Sequence, residues 1–277
     1  MSNIGAILKP EDNPMAFGEA VEQFLKDDRR IVLAATLGIA AIAWIYLLIM
    51  AVGMNAPTIE GLSEMAQLHP WTVTDALLMF LMWAIMMVAM MVPSATPTIL
   101  LYARVCRKRK IGGSALPPTG AFFLGYVAVW TGFSIAATAL QWGLEHAALL
   151  SPMMVSTSPL FGGLLAISAG IYQFVPYKSA CLQSCRSPVD FLSTHWKHGT
   201  FGAFRMGIEH GIYCLGCCWA LMVLLFVGGV MNLLWIAIIS LFVLLEKVAP
   251  WGRVFSRFGA VLLLLWGSAL MSTPFVQ

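Results

Sequence analysis

Residues 74–101 read TDALLMFLMWAIMMVAMMVPSATPTILL, an apolar run whose one charge is Asp75. A helix of about 20 mostly apolar residues spans the hydrocarbon of a bilayer, so this stretch is long enough to cross a membrane. Six further apolar stretches lie around it, at 31–54, 119–142, 158–176, 205–229, 231–247 and 255–273. The chain of 277 residues is 60% hydrophobic and 10% charged, against about 25% charged in soluble domains. A surface so poor in charge has to face lipid. The expected fold is all-α, a polytopic transmembrane helix bundle of seven spans forming one domain over 31–277. The stretches at 158–176 and 231–247 are the shortest, so six spans is the alternative count.

The basic residues give a second line of argument, since Lys and Arg favour cytoplasmic loops. Lys9, Lys26, Arg29 and Arg30 precede the first stretch, and Arg104, Arg107, Lys108, Arg109 and Lys110 follow the second. Lys178, Arg186, Lys197 and Arg205 fall between the fourth and fifth, and Lys247, Arg253 and Arg257 between the sixth and seventh. The opposite side receives Glu60, Glu64, Asp75 and Glu145. Seven spans with the N-terminus cytoplasmic and the C-terminus on the far side place every Lys and Arg on the cytoplasmic side. The first stretch is too long for a signal-peptide core and lacks a clear small-residue cleavage site, so it reads as a retained helix. Within residues 1–30, Phe17, Ala20, Val21, Phe24 and Leu25 recur at helical spacing, as in a short amphipathic helix on the membrane surface. Basic residues confined to short loops argue against nucleic acid as a partner; the bilayer is the partner. No glycine-rich phosphate loop is present for ATP-driven pumping, and no strong internal repeat points to an inverted-repeat transporter.

On this topology none of the six cysteines, Cys106, Cys181, Cys185, Cys214, Cys217 and Cys218, reaches the outer face. Cytoplasmic thiols stay reduced, so clustering points to metal binding or redox chemistry rather than to structural disulfides. In the fifth stretch His210, Cys214 and Cys218 step by four and Cys217 lies three past Cys214, which places them on one helix face. Met206 and Met222 extend that stripe. Imidazole, thiolate and thioether are the ligands that soft ions such as Cu(I) prefer. Glu209 stands beside the stripe, and ionisable groups in a span are by default functional; its role would be to balance charge or take a proton. The bland alternative is that small cysteines and Gly211 and Gly216 ease helix packing.

Two further sets bear on the same chemistry. Cys181 and Cys185, four apart between the fourth and fifth stretches, suit one ion or a redox pair. Lys178 and Arg186 flank them and are expected to favour thiolates, while His195 and His198 are at hand to complete a site. In the second stretch Met79, Met82, Met86 and Met90 form a stripe that Met87 and Met91 broaden, either as core filler or as a thioether ladder. Pro93 and Pro97 are expected to interrupt that helix and free backbone groups to line a cavity. On the outer side Met54, Met65, His69, His146, Met153 and Met154 form a sparser soft set.

Tyr172-Gln173, Pro176-x-Lys178-x-x-Cys181-Leu182-x-x-Cys185-Arg186, and His210-Gly211-x-Tyr213-Cys214-x-Gly216-Cys217-Cys218-Trp219-x-Leu221-Met222 together resemble a bacterial family of predicted metal-binding integral membrane proteins of unknown function. Ala89-Met90-Met91-x-Pro93, Met231-Asn232-Leu233 and Glu246-Lys247 are similar to further parts of its pattern, and the resemblance covers roughly residues 75–250. It implies a multi-pass protein of the bacterial inner membrane, with a periplasmic C-terminus on the topology above.

The leading expectation is a soft-metal binding, transport or delivery protein rather than an enzyme, taking Cu(I) ahead of zinc. His210, Cys214, Cys217, Cys218, Cys181, Cys185, Glu209, Met86 and Met90 are the candidate metal residues. A metallochaperone or a membrane metalloenzyme would be the partner. The alternatives are a non-catalytic subunit or assembly factor of a membrane complex, and a membrane thiol-disulfide oxidoreductase in which Cys181 and Cys185 exchange disulfides with the helix that follows.

Overall fold

Aspartate and threonine open the helix that decided the fold. The Thr72 amide donates to Asp75 Oδ2 at 2.8 Å, and the Asp75 amide donates back to Thr72 Oγ1 at 3.3 Å. This reciprocal box satisfies amides that a helix start leaves free. In this computed structural model, which describes residues 14–54, 71–108, 116–150, 156 and 158–272, the helices run in chain order. They are α1 (Pro14–Met54), α2 (Val73–Lys108), α3 (Leu116–His146), α4 (Pro159–Tyr172), α5 (Pro176–Arg186), α6 (Pro188–Thr194), α7 (Gly199–Val223), α8 (Leu225–Gly228), α9 (Leu233–Val248) and α10 (Gly252–Ser272). No strand occurs among the described residues; Leu150 and Ser156 form one isolated bridge.

Each of the seven apolar stretches is helical. Five helices are long and apolar enough to cross a membrane: α1, α2, α3, α7 continued by α8, and α10. The fourth stretch is a broken span, because α4 bends by 66° into α5 at Pro176, and counted as one it makes a sixth. The sixth stretch is α9, of 16 residues. Ile42, Ile49, Val52, Leu234 and Leu265 are exposed, as on a bundle whose perimeter meets lipid.

Several expectations change. Residues 14–30 are helical but continue without a break into the first apolar stretch as α1, and residues 1–13 lie outside the described chain. Helix α2 is not interrupted: it runs for 36 residues through Pro93 and Pro97. Proline 93 has no N–H for the carbonyl of Ala89, and the Trp44 indole of α1 donates to that oxygen at 3.1 Å instead. The segment after the fourth stretch is no loop but α5 and α6, folded against the bundle. Lys178 and Lys247, expected in cytoplasmic loops, are buried at 1% and 6% exposure.

Glycines set the closest crossing. A Cβ on Gly207 would strike the backbone of Phe122, and one on Gly125 would strike the carbonyl of Phe204. Gly211, one turn on, would meet Val129 at 2.9 Å. The Gly207-xxx-Gly211 face thus lets α7 lie on the backbone of α3, the small-residue packing typical of membrane helices. Gly163 of α4 and Gly267 of α10 meet in the same way, with a Cβ on either falling 2.8 Å from the other's carbonyl oxygen. On the side of the acidic residues, Glu145 accepts from the Trp71 indole at 2.7 Å and from Gln141 at 2.9 Å. Gln141 in turn accepts from the buried Trp83 at 2.7 Å.

Candidate metal centre

Helical periodicity turns the whole sulfur stripe of α7 inward: Met206, His210, Cys214, Cys217, Cys218 and Met222 are all buried. Within the helix, the thiols of Cys217 and Cys218 each donate to the Cys214 carbonyl at 3.0 Å. Other elements then add to them. From α2, Met91 Sδ lies 3.9 Å from Cys218 Sγ. From α3, the Tyr126 hydroxyl is 3.0 Å from Cys214 Sγ and 3.1 Å from the Met91 carbonyl oxygen. From α5, the buried Cys185 lies close enough to Cys214 and Cys217 to interact with them electrostatically. All six cysteines are buried and free of disulfides.

The unexpected member is Lys247, in the last turn of α9. Its ammonium donates to Cys214 Sγ at 2.8 Å and to Ser94 Oγ at 3.2 Å, and lies 4.0 Å from Cys218 Sγ. A buried ammonium costs several kcal/mol unless its neighbours compensate it. Here sulfur and hydroxyl lone pairs do so, with the Cys214 sulfur the nearest. The sulfur cluster of this protein already holds a cation, one supplied by its own chain.

Other candidates have different neighbours. Cys181 packs over the backbone of α7, where a Cβ on Gly216 would fall 2.8 Å from its sulfur. His210 lies among Phe191, Tyr126 and Phe122, with ring centroids at 5.1, 5.7 and 6.0 Å, and its Nδ1 has no hydrogen-bond partner. Glu209 is taken up by Lys197 and by Arg205 at 3.6 Å. Met86 and Met90 are buried in the core, but the thioether against a thiol is that of Met91. Lys178 and Arg186 turn away from the cysteines they flank. Lys178 pairs with Glu246 and Gln173, and Arg186 donates to the carbonyls of Glu246, Ala249 and Pro250 at 2.9–3.1 Å. His195 stacks on Phe191 and approaches the Tyr213 hydroxyl at 3.4 Å, and His198 meets Trp196. Of the outer set, His146 stacks on Trp142, while Met54, Met65, His69, Met153 and Met154 lie outside the described side chains.

Among the described residues, no three His, Cys, Asp or Glu side chains converge as a group that could hold a metal ion. Sulfur atoms meet more loosely: Met91 Sδ of α2 lies against Cys218 Sγ of α7, and Lys247 stands between Cys218 and Cys214. Such a set is soft and lacks carboxylate, and Cu(I) needs only two or three such ligands. Lys247 is the cluster member that the sequence reading does not single out, while Met91 enters that reading only as a residue that broadens the α2 stripe. The sequence did hold a signal for the lysine, since Glu246-Lys247 closes an apolar run where ionisable residues are rare.

No curated protein and no solved structure matches the chain. A family model described as PpoB2, copper chaperone, matches residues 80–270, a region that includes the α2 methionines, the thiols of α5 and α7, and Lys247; the chain belongs to that copper chaperone family.

Proposed function

We propose that this protein is a membrane-embedded Cu(I) chaperone, which receives the ion on the sulfur cluster between α2, α5 and α7 and delivers it to a copper enzyme in or at the membrane. Seven spans with the basic loops in the cytoplasm, in a bacterial inner membrane, is the setting that the segregation of charge supports. The observation that carries the reading is the Lys247 ammonium 2.8 Å from Cys214 Sγ, inside a cluster that also holds Cys185, Cys217, Cys218 and Met91. A site able to accommodate one cation on sulfur, in a region where lipid offers no solvation, has the electrostatics for another.

The exchange follows from charge balance. In the copper-free state Lys247 compensates the electron-rich Cys214 sulfur. When Cys214 and Cys218 or Met91 take Cu(I), the added positive charge repels the ammonium. The proton then leaves from Lys247 or from the second thiol, so that the buried region stays near neutral. Delivery is the reverse: protonation restores the Lys247–Cys214 contact as the ion departs to the partner's ligands. Cys185, on the short α5, would be the first thiol to meet an incoming ion, and Tyr126 holds Cys214 and the Met91 backbone in register.

The test is anaerobic purification after copper supply, with metal counted per chain and Cu(I) affinity measured by chelator competition. Wild-type protein is expected to bind copper, and the Cys214→Ser/Cys218→Ser variant to lose most of it. A copper-free wild type, or an undiminished load in that variant, overturns the reading. Thiol trapping in cells separates the oxidoreductase alternative, which requires a defined disulfide, such as Cys185 with Cys217, that alternates between states.

A further inference from the structure

A cavity of about 600 Å³ opens where α4 bends into α5 and where α9 turns into α10. Its deep end is polar and buried: Lys178, Gln173 and Ser256 line it at 1%, 4% and 6% exposure. Its rim carries Arg186, Arg253 and Arg257. No carboxylate is among the described residues that line it. Glu246 neutralises Lys178 from behind, so the three guanidinium groups set the charge of the cavity.

Two details distinguish this from an ordinary basic loop. The Gln173 Oε1 accepts from Lys178 and from Ser256 Oγ at 3.1 Å, which leaves the amide Nε2 as a buried donor with no partner. A buried donor without an acceptor is costly, and the acceptor it lacks is what an anion supplies. Gly252 is the second detail: a Cβ there would collide with the Arg186 guanidinium, so the glycine allows that side chain to reach the α9–α10 turn. Arg186 is held there by three carbonyls, and Arg253 by the Gln183 oxygen at 2.7 Å. Two of the three rim guanidinium groups, those of Arg186 and Arg253, are therefore oriented in advance.

We propose that this cavity binds a phosphate group, either that of an anionic lipid headgroup or that of a small soluble phosphate. Guanidinium forks match phosphate oxygens in pairs, and basic pockets between membrane helices on the cytoplasmic side take lipid headgroups. Phe174 and Trp251 are exposed beside the guanidinium groups and offer an apolar wall next to the anion site. The proposal does not depend on copper, and copper loading plays no part in its test.

The protein is purified in detergent with equal phosphatidylglycerol and phosphatidylcholine, and retained lipid is read by native mass spectrometry. In parallel, lipid-free protein is melted with and without inorganic phosphate. Wild type is expected to keep phosphatidylglycerol preferentially or to be stabilised by phosphate, and Arg253→Gln/Arg257→Gln to lose that binding about tenfold. The single charge change Arg104→Gln, on α2 and matched to Arg257→Gln, is expected to retain it. Lipid that millimolar phosphate does not displace assigns the lipid source; stabilisation by phosphate without lipid retention assigns the soluble one. Equal retention of both lipids together with no phosphate effect, or an equal loss in Arg104→Gln, overturns the proposal. If the double variant does not fold, Arg257→Gln alone gives the same reading with a smaller loss.

Discussion

Lys247 Nζ and Cys214 Sγ, brought together from α9 and α7, stand 2.8 Å apart in the interior. Removing one member of a buried pair leaves the other uncompensated, at about 3–5 kcal/mol, whereas replacing both with apolar groups is close to neutral. Cys214→Ala is therefore expected to lower stability by about 3 kcal/mol, and Lys247→Met in the same chain to restore most of it. Denaturant unfolding of the copper-free variants in detergent, arranged as a double-mutant cycle, checks this. Additive losses would mean that the two residues do not act as a pair.

Copper loading is expected to weaken as pH falls, because the thiols must give up protons to the solvent when the ion binds. The sign follows from the chemistry: protons are products of loading, so acid drives it backward. Competition with a Cu(I) chelator across a pH series reads the number of protons released per ion. A pH-independent affinity would mean that no proton leaves on loading, against the exchange proposed for Lys247 and the second thiol.

Methionines of α2 are not equivalent. Met91 Sδ approaches Cys218 Sγ at 3.9 Å, while Met86 packs in the core. Met91→Leu keeps the volume and removes the sulfur, and is expected to lower Cu(I) affinity about tenfold with little change in stability. Met86→Leu is expected to leave affinity unchanged, as read in the same chelator competition.

The Trp44 indole donates to the Ala89 carbonyl that Pro93 leaves without a partner. Trp44→Phe is expected to cost about 1–3 kcal/mol by exposing that unmet acceptor within the bundle. Pro93→Ala restores an amide donor and is expected to reduce the loss when combined with it. Unfolding of the two single variants and the double gives the coupling directly.

Gly207 admits the backbone of Phe122, so Gly207→Ala has no room. A loss of about 1–3 kcal/mol is expected for forcing α3 and α7 apart. Gly132→Ala, at a position with open space around it, is expected to be neutral or slightly stabilising.

Spacing along one helix was readable from the sequence, and interhelical partners were not. His210, Cys214 and Cys218 recur at the helical period, which placed them on a common face without any knowledge of what that face meets. The identity of the opposing group depends on which helix packs there, and no local pattern carries that. So Met86 and Met90 were chosen from a stripe that Met91 also borders, and only packing brings Met91 to a thiol. Lys247 reads as a loop residue, because a basic residue at the end of an apolar run looks the same whether it faces water or a sulfur atom. Pro93 reads as a break on intrinsic grounds that are sound for an isolated helix, and a tryptophan from α1 overrides them. The apolar stretches themselves were legible because lipid imposes one rule on the whole perimeter.

Helix α9 has 16 residues, and at ~1.5 Å per residue it is about 24 Å long. Hydrocarbon about 30 Å thick exceeds that reach, so such a helix set across a bilayer creates hydrophobic mismatch. Glu246 and Lys247 at its C-terminal end are buried by neighbouring helices, so their charge meets protein groups and not hydrocarbon. The short helix therefore relies on its neighbours, Ser94 and Cys214 for Lys247 and Lys178 for Glu246, to solvate its charged end.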